Sequence, residues 1–234
     1  MLNNNRVLKY IWMHIFSKVE VILLSSKLAG DYGARFNPKL LHILPNYSSF
    51  SSSDKTEYNE KKNIVYIGHI SQDKGAYRLL ELAKECENDN FRYLFAGEFS
   101  DLSKQKILQS DIENYFGEKI KFLGRVEGEK KKELFSVADV LVIPSYSEAM
   151  PLTIIESLAV GLPIVATNTG AISEMIDESV GFCCDFSEFK TSIETVIRNG
   201  RYYYSNECKF RWKSKYTRDV FIKKLDDIFE LRGW

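Results

Sequence analysis

The chain has 234 residues, 44% of them hydrophobic, and carries 32 Lys+Arg against 32 Asp+Glu. That length supports a buried core, and the balanced charge excludes a general electrostatic attraction to nucleic acid, so a charged ligand has to be recognised locally. Cys86, Cys183, Cys184 and Cys208 lack C-x-x-C spacing and form no evident disulfide framework; with no signal peptide and no apolar run of about 18 residues, a reducing cytoplasm is the expected location.

The amino-terminal stretch predicts a helix over about 5–17. Its RVLKYIWMHIFSK segment is apolar, aromatic and basic, which fits either peripheral contact with the inner face of a membrane or packing on an adjacent domain. A strand VEVILLSS, a helix KLAGDYGARF and a strand HILPN complete a β/α piece over 1–47 that is too small to be a domain. The polar, Ser-rich stretch 48–62 has no periodicity and reads as a linker.

Beyond it, short β-branched or aromatic runs alternate with segments of helical period. NIVYIG is a strand, and KGAYRLLELAKEC places Leu79, Leu80 and Ala83 on one helical face. There follow the strand FRYLFAG, a polar helix from Asp101, the strand KIKFLG, the helix GEKKKELFSVA and DVLVIP, an apolar run of the kind buried on both faces of a parallel sheet. A helix from about Pro151, the strand PIVAT, a short helix over Ile172–Ile176, the strand GFCC and a helix over 187–198 close the series. This alternation over 63–200 predicts a doubly wound, Rossmann-like parallel α/β sheet, with ligands at the carboxyl ends of its strands. The tail, 201–234, reads as helical, with Val220, Leu225, Ile228 and Phe229 as expected buried positions.

Three strand-end loops carry chemistry. In GHISQDKG, Gly68 permits a close turn, His69 can donate a hydrogen bond, and Lys74 puts a compact cation at a helix start, where anions are favoured. The same residues fit an ordinary loop with a solvated lysine; the stretch is neither a P-loop nor a G-x-G-x-x-G fingerprint. In SYSEAMPLTIIESLAVGLPIVAT, Pro151 suits a first helical turn and leaves the N–H groups near Met150, Leu152 and Thr153 facing whatever lies before the helix. Glu148 in the loop and Glu156 about a turn inside the helix do not share a face but can bracket one pocket, and carboxylates accept from vicinal sugar hydroxyls. Glu156 fits equally well as a solvated helix residue.

Gly161 reads as the helix end, Gly170 keeps its loop slim, and Glu174 reads as a carboxylate favoured by a helix dipole. In FLGRVEG, Gly124 admits a flat ring beside Arg125 and Val126, although Arg125 also fits a surface charge. No D-x-D, H-E-x-x-H or G-x-S-x-G occurs, and His14, His42 and His69 are isolated, which argues against a metal cluster.

Taken together, strand–GHISQDKG–helix, FAGE, IKFLGRV, ADVLVIPS and SEAMPLTIIESLAVGLPIVATNTGAISEMI resemble, in order, the donor-binding half of GT-B glycosyltransferases, specifically the retaining family 4 (glycosyl transferases group 1) with its Glu-x7-Glu region. EVILLSSKLAGDYGARF and HILPN are similar to the end of that family's amino-terminal domain. The resemblance implies a nucleotide-diphosphate sugar as donor, transfer with retention, no metal and no other cofactor. By it, Glu156 holds the ribose hydroxyls, Glu148 faces the transferred sugar, and Lys74 contacts the diphosphate with Gly68, His69 and the backbone of Met150, Pro151 and Leu152. The main chain of Arg125 and Val126 flanks the base. The implied product is a bacterial surface polysaccharide or glycolipid.

Two residues depart from the family pattern. His69 stands where arginine is common and cannot make a bidentate guanidinium contact, and Ala149 replaces a frequent glycine. The chain also covers only the end of the acceptor-binding domain, so it is expected to bind donor yet transfer sugar poorly without an acceptor-domain partner protein. Exposed apolar surface is expected on the amino-terminal piece and the last helix. A non-catalytic nucleotide-sugar-binding subunit of a split enzyme, or a truncated inactive glycosyltransferase, is the rival expectation, and a nucleotide-sugar epimerase of GT-B fold is a third that fits the Glu-x7-Glu segment less well.

Overall fold

The computed structural model describes residues 10–11, 14–15, 18–32, 38–50, 60–101, 110–112 and 114–230. The helix expected over 5–17, the end of the helix expected to 36, most of 48–62 and the polar helix after Asp101 lie wholly or partly outside them.

Two sheets are built, both parallel. The smaller joins β1 (Val21–Leu23) to β2 (Leu41–Ile43), with α1 (Ser26–Tyr32) between them. The larger has six strands: β3 (Lys62–Ile67), β4 (Phe91–Ala96), β5 (Ile120–Gly124), β6 (Val140–Ile143), β7 (Ile164–Thr167) and β8 (Gly181–Cys184). Their spatial order is β5-β4-β3-β6-β7-β8. The chain therefore builds outward from β3 in one direction, then crosses back beside β3 and builds in the other. This is the doubly wound, Rossmann-like architecture expected from the strand–helix alternation.

The residue types explain the layering. β6 is apolar throughout, β7 is apolar but for Thr167, and both are buried along their whole length, as central strands with helices on both faces must be. α2 (Ala76–Glu85) buries Ala76, Leu79, Leu80 and Ala83, the i, i+3, i+4, i+7 stripe of an amphipathic helix. α3 (Gly128–Val137) buries Leu134 and Phe135, and α4 (Leu152–Ala159) buries Ile154, Ile155, Ser157 and Leu158. α5 (Ile172–Met175) is a single turn. α6 (Phe189–Asn199) follows a 3-10 turn opened by a capping box between Asp185 and Glu188.

The tail corrects one expectation. It forms two helices, α7 (Arg201–Lys215) and α8 (Arg218–Glu230), broken at Tyr216, and only α7 is anchored in the core, through Arg201, Tyr204 and Cys208. Val220, Leu225 and Ile228 of α8 are half-buried and Phe229 is exposed. The reason is that α8 lies outside the layer that α7 completes; its packing includes a ring contact of 4.7 Å between Phe221 and Tyr47. As expected, apolar side chains are exposed at Val19 and Ile22 in the amino-terminal piece and at Ile222 in the last helix.

Arg201 does what its residue type does not advertise. Its buried guanidinium donates to the carbonyls of Phe135, Ala138, Val160 and Gly161, at 2.6 to 3.2 Å. These lie at the carboxyl ends of α3 and α4, where helix carbonyls lack intrahelical partners and the macrodipole favours a cation. Charge-assisted bonds of this kind are each worth about 1.5–3 kcal/mol. Arg201→Met is expected to lower the unfolding free energy by about 3 kcal/mol or more, because it strands buried carbonyls; urea denaturation measures the loss.

Candidate functional site

The loops after β3 and β6 lie on either side of the crossover, where a doubly wound sheet is expected to bind its ligand. The two loops are locked together by main chain. Gly75, at the start of α2, has φ 67°, and a Cβ there would lie 1.7 Å from the Pro144 carbonyl oxygen. Tyr146 N–H donates to the Asp73 carbonyl at 2.9 Å. Arg78, one turn into α2, donates through Nε to Pro144 O at 2.8 Å and through Nη2 to Ser145 O at 3.1 Å. Its guanidinium lies 3.9 Å from the Tyr146 ring centroid and 4.4 Å from that of Phe186. Sequence reasoning missed Arg78, because nothing in its local pattern separates it from a solvated helix arginine.

Within this frame Lys74 and Glu148 meet. Lys74 Nζ is 2.8 Å from Glu148 Oε1, and Ser145 Oγ donates to the same oxygen at 2.8 Å. The carboxylate is largely buried, at 13% side-chain exposure, against 36% for the lysine, so the cation is the more accessible member of the pair. Gly170, with φ 55°, packs so closely that a Cβ would lie 1.8 Å from the Glu148 carbonyl oxygen, and Ala171 N–H donates to Ala149 O at 2.8 Å. The slim loop expected at Gly170 thus braces the backbone that carries Glu148.

Gly68 and His69 top β3. Tyr66 OH donates to His69 O at 2.6 Å, and a Cβ on Gly68 would stand 3.3 Å from that hydroxyl. Burial, and then the Glu148 charge, push the Tyr66 phenol above its ordinary range, so it remains a neutral donor beneath the loop. His69 itself is exposed.

α4 begins at Leu152, one residue later than expected, with Pro151 extended as its N-cap (φ −65°, ψ 125°). Ile154 N–H turns back to Pro151 O at 3.2 Å. Helical geometry gives the N–H groups of Leu152 and Thr153 no intrahelical acceptor. Leu152 is exposed, while Met150 is buried and its carbonyl accepts from Asn46 Nδ2 at 3.2 Å. Gly161 follows the helix in the left-handed conformation (φ 65°) typical of the position after a C-cap.

Glu156 is not a solvated helix residue. Its Oε2 lies 2.6 Å from Lys131 Nζ on α3, and the two side chains are only 15% and 17% exposed. That oxygen is buried and has no aligned hydrogen bond, so the contact is a close ion pair of poor directionality. Lys131 was missed within the run E-K-K-K; the available signal is that i+3 and i+4 from it are Leu134 and Phe135, both buried. Arg125 reaches sideways to Glu127, 2.6 Å from its carboxylate, with both side chains mostly in solvent, and this partner raises the guanidinium pKa. Val126 packs half-buried against the core, and both residues follow β5, two strands from β3. Glu174 is engaged elsewhere: it accepts the backbone N–H groups of Ser26 and Lys27, at 3.3 and 2.5 Å, and so caps α1. Among the described residues no three or more His, Cys, Asp or Glu side chains are grouped to hold a metal ion, and no helix is long and apolar enough to cross a membrane.

The six-stranded, doubly wound parallel sheet defines a Rossmann-like domain, the fold class of GT-B glycosyltransferases. The sequence profile described as glycosyl transferases group 1 matches residues 49–209, and the chain belongs to that family. It is 27% identical over 182 residues to the uncharacterized glycosyltransferase MJ1607 of Methanocaldococcus jannaschii, covering 74% of this chain and 46% of that one. It is 25% identical over 188 residues to the amylovoran biosynthesis glycosyltransferase AmsK of Erwinia amylovora, covering 71% and 44%. The crystal structure of Anabaena Alr3699/HepE in complex with UDP superposes with a TM-score of 0.77 at 16% identity, over 99% of this chain and 68% of that one. The chain thus spans about half the length of these two curated relatives.

Gly75→Ala is expected to be one of the most damaging single-methyl changes in the molecule. It combines a left-handed backbone with a clash against Pro144 O, and a loss of about 2–4 kcal/mol follows from strain plus displaced loops; thermal and urea unfolding read it directly.

Proposed function

We propose that this chain forms the donor side of a retaining family 4 glycosyltransferase, which transfers a sugar from a nucleotide-diphosphate donor in the synthesis of a bacterial surface polysaccharide or glycolipid. The observation that carries the reading is the constellation at the crossover: Lys74 on Glu148 at 2.8 Å, directly before the amino terminus of α4, with Glu156 one turn inside that helix. The relatives named above support the class, and UDP in the HepE complex supports a nucleotide ligand.

In this reading the diphosphate lies between Lys74 and the backbone N–H groups of Met150 and Leu152, on either side of Pro151, which has none. A cation and a helix amino terminus are the two features that bind phosphate without further help. Gly68 and His69 flank it, and His69 supplies a hydrogen-bond donor where a guanidinium is usual. Lys74 answers two anions: it holds Glu148 in place, and it stabilises charge that develops on the leaving diphosphate as the glycosidic bond breaks. Glu148, fixed by Ser145 and Lys74, accepts hydroxyls of the transferred sugar. Glu156 accepts those of the ribose, and the main chain at Arg125 and Val126 borders the base. The charge needed by the leaving group comes from protein groups, so the reaction requires no metal. Acceptor binding belongs to the amino-terminal domain of the family's enzymes.

Titration with UDP-, GDP- and ADP-sugars tests the donor site. One of them is expected to bind, and Glu156→Ala and Lys74→Ala are each expected to weaken it by tenfold or more, about 1.4 kcal/mol or above. Absence of binding to the folded wild-type protein, or unchanged binding by Glu156→Ala, contradicts the assignment.

A further inference from the structure

The Lys131–Glu156 pair is the largest electrostatic oddity near the crossover. Lys and Glu are seldom this buried unless paired, and here the pairing is incomplete: 2.6 Å apart at 17% and 15% exposure, with Glu156 Oε2 shielded from solvent and lacking an aligned donor. A buried carboxylate oxygen with an unaligned cation forgoes the directional hydrogen bond that would offset its desolvation. An orphaned buried acceptor of this kind calls for a physical reason.

Position supplies one. Lys131 stands on the first turns of α3, the helix that leaves the Arg125–Val126 loop, and Glu156 stands on α4, the helix whose amino terminus faces Lys74 and Glu148. The pair therefore bridges the two elements that border the base and the diphosphate in the proposed reading. The Phe50 ring closes one side of the lysine, 6.0 Å from Nζ, and is itself seated edge-on against buried Phe135 at 5.3 Å. That wall restricts where the ammonium can go. Fixed this way, it presents a donor beside an acceptor, and a vicinal diol offers both functions, since each hydroxyl donates one proton and accepts on its oxygen.

Resting on the proposed nucleotide site, we infer that Lys131 is a positioning and specificity-determining residue for the ribose. It holds the Glu156 carboxylate charged and aimed through the shielded Oε2, and leaves the other carboxylate oxygen to accept from the 2′,3′-diol. A nucleotide without the diol leaves the buried carboxylate with the ammonium alone.

The test is a set of titrations of the full chain with UDP, GDP and ADP and with their 2′,3′-dideoxy counterparts. Wild type is expected to prefer the ribo form of the nucleotide it binds by on the order of 10- to 100-fold, the value of one or two hydrogen bonds to a charged group. Lys131→Met, which keeps the stem and removes the charge, is expected to shrink that preference about fivefold or more, and Lys131→Arg to restore much of it. Circular dichroism and thermal unfolding of each variant confirm the fold. If no nucleotide binds wild type, the donor-site reading itself fails. If a nucleotide binds and Lys131→Met weakens ribo and dideoxy forms by the same factor, or neither, then the site stands and the role given to Lys131 is overturned.

Discussion

A backbone without a side chain at residue 75 lets the amino end of α2 touch the carbonyl that ends β6, and the organisation of the crossover loops follows from that contact. In a doubly wound sheet the strand order reverses once, here between β3 and β6, and the loops on either side diverge by topology alone. Left to themselves, such loops would hold their side chains at ill-defined separation. The approach of Gly75 to Pro144, reinforced by Arg78 on two carbonyls and by Tyr146 on Asp73, fixes the separation instead. Lys74 and Glu148 are then brought to 2.8 Å by main-chain geometry more than by their own attraction. Partly exposed ion pairs are worth at most about 1 kcal/mol in general, too little to hold two loops against their entropy.

The same economy appears at the far ends of the helices. Arg201 gathers the terminal carbonyls of α3 and α4, so both helices are fixed at the end remote from the proposed ligand site. Their amino-terminal halves carry Lys131 and Glu156, and the close contact of those two side chains depends on that common anchoring. The cation at the carboxyl ends uses one pole of the helix dipole for stability, and the proposed nucleotide site uses the other.

Much of the sheet was legible in the sequence, because central strands such as DVLVIP and PIVAT are nearly continuous apolar runs and the intervening helices have clear periods. The positions of Gly75 and Gly170 were visible as glycines, but their tight packing on Pro144 and Glu148 was not, since it depends on tertiary approach. Buried and half-buried cations escaped for the same reason: Arg78, Lys131 and Arg201 have the residue type of solvated charges, and only the arrangement of surrounding carbonyls and carboxylates distinguishes them. α8 misled in the opposite direction. Its apolar stripe implied burial that the described fold leaves incomplete, because periodicity reports that a helix has an apolar face, not that something covers it. The Glu-x7-Glu segment was the most informative stretch, yet it hid the division of labour: Glu148 answers to Lys74 across the crossover, Glu156 to Lys131 across a helix pair.

In the proposed reading a nucleoside diphosphate occupies the crossover between β3 and β6. The most direct measurement is the map of backbone amide shifts in a 15N-labelled sample as UDP, GDP or ADP is added. The largest changes are expected to fall together on Gly68 to Gly75, Arg125 to Glu127 and Met150 to Glu156, with α8 unmoved. Changes confined to other surfaces, or none with any of the three nucleotides, would contradict it.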